Sequence, residues 1–207
     1  SIEEVFVESE IFNDFVARIS KRIKAMSSGS EEGMEIGSMI MKANCRKVKE
    51  HIAELEHTGK IVSGSCDSSD MYIAPTLIID PPNDSRVVNE ETFGPLISIR
   101  PFNEEADLLE KVHKTGYGLA GSIFGRNKKR MHHILSKLKI GNVSINDVIT
   151  HYGIASLPFG GEGQSGVGRQ HGIEGLRSLC RTKSVVENRF SFISDPWWYS
   201  RPKFVEN

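Results

Sequence analysis

Glu90-Glu91-Thr92-Phe93-Gly94-Pro95 sets two carboxylates, an aromatic ring and a rigid Gly-Pro turn beside two segments that read as strands. A carboxylate accepts hydrogen bonds from neighbouring hydroxyls and a ring offers an apolar face, so the run could grip a polar, planar ligand such as a nucleotide. The competing reading is a charged loop whose one phenylalanine plugs a core. Spacing alone leaves both open.

Other residues with chemical potential form no catalytic set. The stretch Pro158-Phe159-Gly160-Gly161-Glu162-Gly163-Gln164-Ser165-Gly166-Val167-Gly168-Arg169 invites a phosphate-loop reading. It has no Gly-Lys-Ser/Thr end, and Gly163, Gly166 and Gly168 miss the GxGxxG spacing. Its glycines read instead as places where the backbone turns or passes close to a neighbour, and Arg169 as half of a local ion pair. Cys45, Cys66 and Cys180 are odd in number and far apart, which gives neither a disulfide framework nor a CxxC metal pair and fits a reducing compartment. Cys180, among Leu176, Leu179 and Val185, reads as a buried small hydrophobe. His132 and His133 point about 100° apart on a helix and cannot readily share a metal, while His51 and His57 read as solvated helix residues.

The elements that must position these groups alternate. Ile11, Phe15, Ile19 and Ile23 mark a first helix, stopped by Ser27-Ser28-Gly29, and Cys45, Val48, Ile52 and Leu55 mark a second that ends near Gly59. Ile61-Val62, Pro75-Thr76-Leu77-Ile78-Ile79 and Leu96-Ile97-Ser98-Ile99 read as strands, the last bounded by Pro95 and Pro101. Asn103 is placed to cap a third helix with Leu108, Leu109 and Val112 on its apolar face. A strand-like run from Leu119 to Phe124, a helix lined by Met131, Ile134, Leu135 and Leu138, and a strand at Val143-Ser144-Ile145 follow. Helix-strand alternation predicts an α/β fold, an open sheet covered on both faces.

The chain has 207 residues, 38% of them hydrophobic, enough for a sizeable core. A net charge of -1 argues against nucleic acid as a partner and favours small molecules or another protein surface. No run of about 18 apolar residues predicts a transmembrane segment, and no signal-type leader is present. The strand-like Ile2-Glu3-Glu4-Val5-Phe6-Val7 begins at once, so the chain reads as cut from something longer.

Taken in order, the motifs carry a resemblance. Pro75-Thr76, Glu90-Glu91-Thr92-Phe93-Gly94-Pro95, Tyr117-Gly118-Leu119, Gly141-Asn142-Val143 with Asn146, Pro158-Phe159-Gly160-Gly161, Ser165-Gly166-Val167-Gly168-Arg169 and Gly172-Ile173-Glu174-Gly175-Leu176 before Lys183 together resemble the C-terminal, catalytic-domain portion of the aldehyde dehydrogenase superfamily. The series holds over roughly residues 2 to 190, and the ending, with Arg177, Cys180, Lys183, Val186 and Glu187, is similar to a divergent branch found in plants and fungi.

The resemblance implies an open three-layer αβα fold with a largely parallel sheet over residues 1–180. Residues 181–207 would hold a strand at 182–187 that joins a second copy in a homodimer, then an aromatic tail including Phe190, Phe192, Trp197, Trp198 and Tyr199. It implies oxidation of an aldehyde to a carboxylic acid with NAD or NADP, through a cysteine thiohemiacetal and a thioester. Glu91 matches the carboxylate that binds the nicotinamide ribose hydroxyls, and Phe93 the ring packed near it. Asn146, Val148, His151 and Tyr152 match the substrate entrance, and a cytoplasmic or cytoplasm-facing location is expected.

By the same resemblance the nucleophile is expected just upstream of Ser1 and the cofactor domain further upstream, which predicts an isolated chain that is inactive and binds NAD poorly. Gly163 and His113 depart from the family's usual residues. Two other readings stand beside this one: a structural or interaction domain from a truncated or split gene, and an unrelated α/β ligand-binding domain.

Overall fold

The computed structural model describes residues 2–187 and 189; the aromatic tail from 190 onward lies outside them. Strand β1 (Glu4–Glu8) leads directly into helix α1 (Ser9–Lys24), followed by β2 (Ser27–Ser28), α2 (Lys42–Leu55), β3 (Ile61–Ser63), β4 (Ser65–Cys66), β5 (Thr76–Ile79) and the short α3 (Arg86–Asn89). Next come β6 (Leu96–Phe102), α4 (Glu105–Lys114), β7 (Tyr117–Gly118), β8 (Ala120–Ile123) and α5 (Lys128–Leu135). The chain continues through β9 (Asn142–Ile145), α6 (Thr150–Gly153), β10 (Glu162–Gly163) and α7 (Gly172–Ser178). The predicted α/β class is what the chain adopts.

The principal sheet has the order β1-β6-β5-β3, with β1, β6 and β5 parallel and β3 antiparallel to β5. Side chains alternate across a strand, and the core divides accordingly. Leu77 and Ile99 face Val7 and Ile23, with Phe12, Val16 and Ile19 of α1 packed against them. Ile78 and Leu96 face the other way, onto Cys45, Val48 and Leu55 of α2. A third cluster joins Phe102, Leu108 and Ile134, where α4 and α5 meet the end of β6. Strands β8 and β9 pair in parallel, and β7 pairs with β10.

The structure adjusts several expected details. Ile11 and Phe15 are exposed, and the buried stripe of α1 runs through Phe12, Val16, Ile19 and Ile23. A strict four-residue repeat drifts by about 40° per step around a helix of 3.6 residues per turn, so a 4-3-4 spacing follows the core more closely. Strand β6 continues through Pro101 to Phe102. Past Ile99, strand β5 has ended and only β1 flanks β6, so the missing N–H of Pro101 is tolerated there. Glu104, not Asn103, occupies the cap of α4, without a side-chain hydrogen bond; the acids Glu105 and Asp107 fill its first turn. Residues 181–187 are exposed and carry no regular secondary structure.

The glycine-rich stretch is structural. Phe159 and Gln170 bridge antiparallel. A Cβ on Gly141 would meet Gly160 O at 1.8 Å, and one on Gly160 would meet Gly168 O at 2.1 Å, so backbones cross where no side chain fits. Arg169 donates to the carbonyl oxygens of Gly161 and Gly168 at 2.8 and 3.0 Å and pairs with Glu162, the local ion pair expected of it.

Candidate functional site

The 90–95 loop is held from three directions. From the chain entering β1, the Glu3 carboxylate accepts hydrogen bonds from the backbone N–H of Thr92 at 3.0 Å and of Phe93 at 3.1 Å. Glu3 is itself seated by its carbonyl, which accepts from Ser98 N and Ser98 Oγ on β6. From α2, His51 Nδ1 lies 3.0 Å from Thr92 Oγ1, with His51 at 0% and Thr92 at 1% exposure. Gly94 passes so close to α2 that an added Cβ would come within 2.5 Å of Val48 Cγ2. At the end of the loop, Pro95 O accepts from Thr76 N at 2.9 Å and delivers the chain into β6.

Glu90 anchors the start of the loop. Its carboxylate pairs with Arg86 at 3.1 Å and Lys47 at 3.2 Å, and these hydrogen-bonded cations lower its pKa to about 2. Arg86 also pairs with Glu50, so α2 and α3 are bound together behind the loop. His51 Nε2 lies 3.5 Å from Glu90 Oε2, at ion-pair distance without hydrogen-bond alignment. Burial, followed by the Arg86 charge, lowers the His51 pKa and favours the neutral ring. The nearby carboxylate favours a proton on Nε2, and the Thr92 hydroxyl can donate to or accept from Nδ1, so the 3.0 Å bond forms with either tautomer.

These anchors leave Glu91 and Phe93 outward. Phe93 is 59% exposed at φ 53°, a left-handed conformation that costs a residue of this size about 1–2 kcal/mol. Its ring therefore does not plug the core, which removes the bland reading of the loop. Glu91 is exposed and makes no hydrogen bond or ion pair among the described residues. A carboxylate with both oxygens available, beside a ring on a fixed backbone, suits the vicinal hydroxyls of a ribose and its attached aromatic base.

The second group of candidates sits past the end of β9. Asn146, at φ 53°, forms a closed amide pair with Gly125: Oδ1 accepts from Gly125 N at 2.9 Å and Nδ2 donates to Gly125 O at 3.0 Å. Asp147 then accepts from Thr150 N and Oγ1 at 2.9 and 2.7 Å, turning the chain into α6. His151 points inward, with Nδ1 2.8 Å from Ser144 Oγ and its ring stacked on Phe159. Tyr152 meets Phe159 edge-on at 5.0 Å and stays exposed, as does Val148. Among the described residues, no hydrogen bond, ion pair or ring contact joins this group to Glu91 or Phe93.

Several residues behave differently from their sequence reading. His51 is fully buried, although it reads as a solvated helix residue. Its spacing from Val48 and Leu55 places it in the stripe that α2 turns to the core, a signal legible at i, i+3 and i+7. Cys180 is exposed rather than buried, because α7 ends at Ser178 before any element that covers it. Cys45 is buried and Cys66 exposed, so all three cysteines are free thiols. Glu3 and Thr92 escaped notice because nothing local marks a hydrogen bond spanning 89 residues.

The parallel β1-β6-β5 arrangement, faced by helices on both sides, places the molecule among layered α/β proteins. The aldehyde dehydrogenase family profile matches residues 1–185, and the chain belongs to that family. A 4,4'-diapolycopene aldehyde oxidase from a Methylomonas species is 31% identical over 199 residues, covering 96% of this chain and 38% of that protein. A 4-trimethylaminobutyraldehyde dehydrogenase A from Danio rerio is 32% identical over 193 residues, covering 88% and 38%. Among solved structures, a point mutant of betaine aldehyde dehydrogenase from Staphylococcus aureus in complex with NAD+ superimposes with a TM-score of 0.83 at 28% identity, covering 96% of this chain and 42% of that one. An NAD+ complex of an aldehyde dehydrogenase from Bacillus cereus gives a TM-score of 0.81 at 30% identity, covering 91% and 39%.

These matches correct the finer expectations attached to the resemblance. The family match covers residues 1–185 and solved enzymes of the fold align with 84–96% of the chain, so the likeness is to an aldehyde dehydrogenase catalytic fold over nearly the whole chain rather than to a bare C-terminal piece, and the expected inactivity has no support in these matches. The chain spans about two fifths of the length of the relatives it matches, 38% of the two proteins and 39–42% of the two structures named above. Relatives from Methylomonas and Danio give no support to a plant or fungal branch. Among the described residues, no helix is long and apolar enough to cross a membrane.

Proposed function

We propose that this chain serves an NAD(P)-dependent aldehyde dehydrogenase that converts an aldehyde to a carboxylic acid, and that Glu91 and Phe93 meet the nicotinamide end of the cofactor. The observation that carries this reading is a pair of outward side chains on a backbone locked from both sides. NAD(P), when bound, supplies the nicotinamide carbon that accepts hydride from the substrate. Glu91 accepts hydrogen bonds from the two ribose hydroxyls, and the Phe93 ring limits where the sugar can lie. Hydride transfer is sensitive to displacements of about 1 Å, so a fixed loop is worth more here than an adaptable one.

At the substrate entrance, Val148 and Tyr152 contribute exposed apolar surface, while Asn146 and His151 hold the loop that presents them. Residues 182–187, exposed and without regular structure in the single chain, form a strand only on pairing with a second copy. Three free thiols suit a reducing, cytoplasm-type compartment.

The test compares Glu91→Gln and Phe93→Ala by steady-state kinetics with NAD+ and NADP+ in turn. Both substitutions raise the KM for the cofactor about tenfold or more, the loss expected for a charge-assisted contact, and leave the aldehyde KM nearly unchanged. An unaltered cofactor KM in both variants sinks the assignment.

A further inference from the structure

We propose that Glu3 is a positioning residue for the cofactor loop: by accepting both the Thr92 and Phe93 amides, its carboxylate fixes the backbone that aims Glu91 and Phe93. The inference rests on the reading of those two side chains as cofactor-facing. Its physical basis lies in the geometry around Glu3.

Phe93 sits in the left-handed region at φ 53° without being glycine, and its ring is exposed, so its own packing does not hold it there. The His51 bond fixes the Thr92 side chain, and the Gly94 approach to Val48 fixes the following residue. Neither satisfies the two consecutive amides between them. Among the described residues, only the Glu3 carboxylate reaches both, at 3.0 and 3.1 Å, one oxygen to each. A carboxylate spreads its charge over two acceptors and suits two N–H groups side by side; a carboxamide offers one acceptor and turns donors toward the other amide.

Glu3 also has a fixed origin. Its carbonyl is bound to Ser98 on β6, and β1 begins at the next residue, paired with β6 from Glu4 onward. The loop is therefore referenced to the sheet through Glu3 and to α2 through His51. Releasing the first reference leaves the fold's apolar packing intact while the Phe93 backbone is free to leave its strained conformation.

The experiment combines amide hydrogen exchange with kinetics on the intact protein, using NAD+ and NADP+ as cofactor probes and hexanal as the aldehyde. In the unsubstituted protein, the Thr92 and Phe93 amides exchange as slowly as those of β1. Glu3→Gln accelerates exchange at both by about tenfold or more. The same variant raises the cofactor KM with the hexanal KM held and the melting temperature little moved.

An unprotected Phe93 amide in the unsubstituted protein overturns the proposal without any variant. So does a Glu3→Gln protein whose exchange and cofactor KM are unchanged, or one that only melts earlier and turns over more slowly at constant KM. If Glu3→Gln frees the amides while Glu91→Gln leaves cofactor KM untouched, Glu3 stands as the loop's anchor and the cofactor-facing reading of Glu91 is what fails.

Discussion

His51 Nδ1 and Thr92 Oγ1 meet at 3.0 Å in the interior, joining α2 to a loop whose neighbouring side chains face outward. Thr92→Val keeps the shape and removes the hydroxyl, leaving a fully buried ring nitrogen without a partner. We expect a loss of about 1–3 kcal/mol in denaturant unfolding, because a buried ring nitrogen stripped of its hydrogen-bond partner bears an uncompensated desolvation cost. A Thr92→Val, His51→Leu double variant is expected to cost less than the sum of the single changes, which a double-mutant cycle reads directly.

Gly94→Ala tests the closeness of the loop to α2. The new Cβ would stand 2.5 Å from Val48 Cγ2, and a β-branched neighbour has little freedom to rotate away. Destabilisation of about 1–3 kcal/mol follows from overpacking. Adding Val48→Ala is expected to recover part of it, measured by the same unfolding titration.

Acid weakens this region in two stages. Burial depresses the His51 pKa, so the unfolded chain takes up this proton first; the stability contributed by the neutral ring is present above pH 6.5 and falls as pH drops below it. Glu90, lowered from 4.5 to about 2, contributes stability above pH 4.5 that fades as pH falls toward 2. Its carboxylate is partly exposed, so this second contribution is screened to about 1 kcal/mol or less. Melting temperatures taken across pH are expected to lose slope below pH 6.5 in His51→Leu; an unchanged slope would show that another group carries the transition.

Asn146→Gly retains a residue at ease with φ 53° but removes both bonds to Gly125. We expect a loss of about 1 kcal/mol or less from two exposed hydrogen bonds. Asn146→Leu is expected to cost more, since it adds left-handed strain to the same loss. Calorimetry of the three proteins ranks them unambiguously.

Much of the scaffold was legible because repetitive elements write their packing into local spacing. The buried face of α2 follows Cys45, Val48 and Leu55, and β5 and β6 show as apolar runs, each entered just after a proline. What escaped was set by partners distant in the chain or by backbone angles. Glu3 looks like any acid near a strand, and the left-handed turn at Phe93 has no signature in a bulky residue. For α1, the apolar positions were visible but two of them, Ile11 and Phe15, lie off the buried stripe. Among the four residues that match the family's substrate entrance, Asn146 and His151 turn their polar atoms to Gly125 and Ser144, while Val148 and Tyr152 remain exposed.

Because Glu3 immediately precedes β1, an outer strand of the principal sheet, any fluctuation that peels this strand from β6 also unclamps Thr92 and Phe93, 89 and 90 residues away. Strand docking and the backbone shape at Thr92 and Phe93 are thus coupled, while the α2 anchors of the loop persist. A ligand that prefers the shaped loop would hold β1 down by mass action, so cofactor would protect the first strand of the chain from proteolysis without touching it.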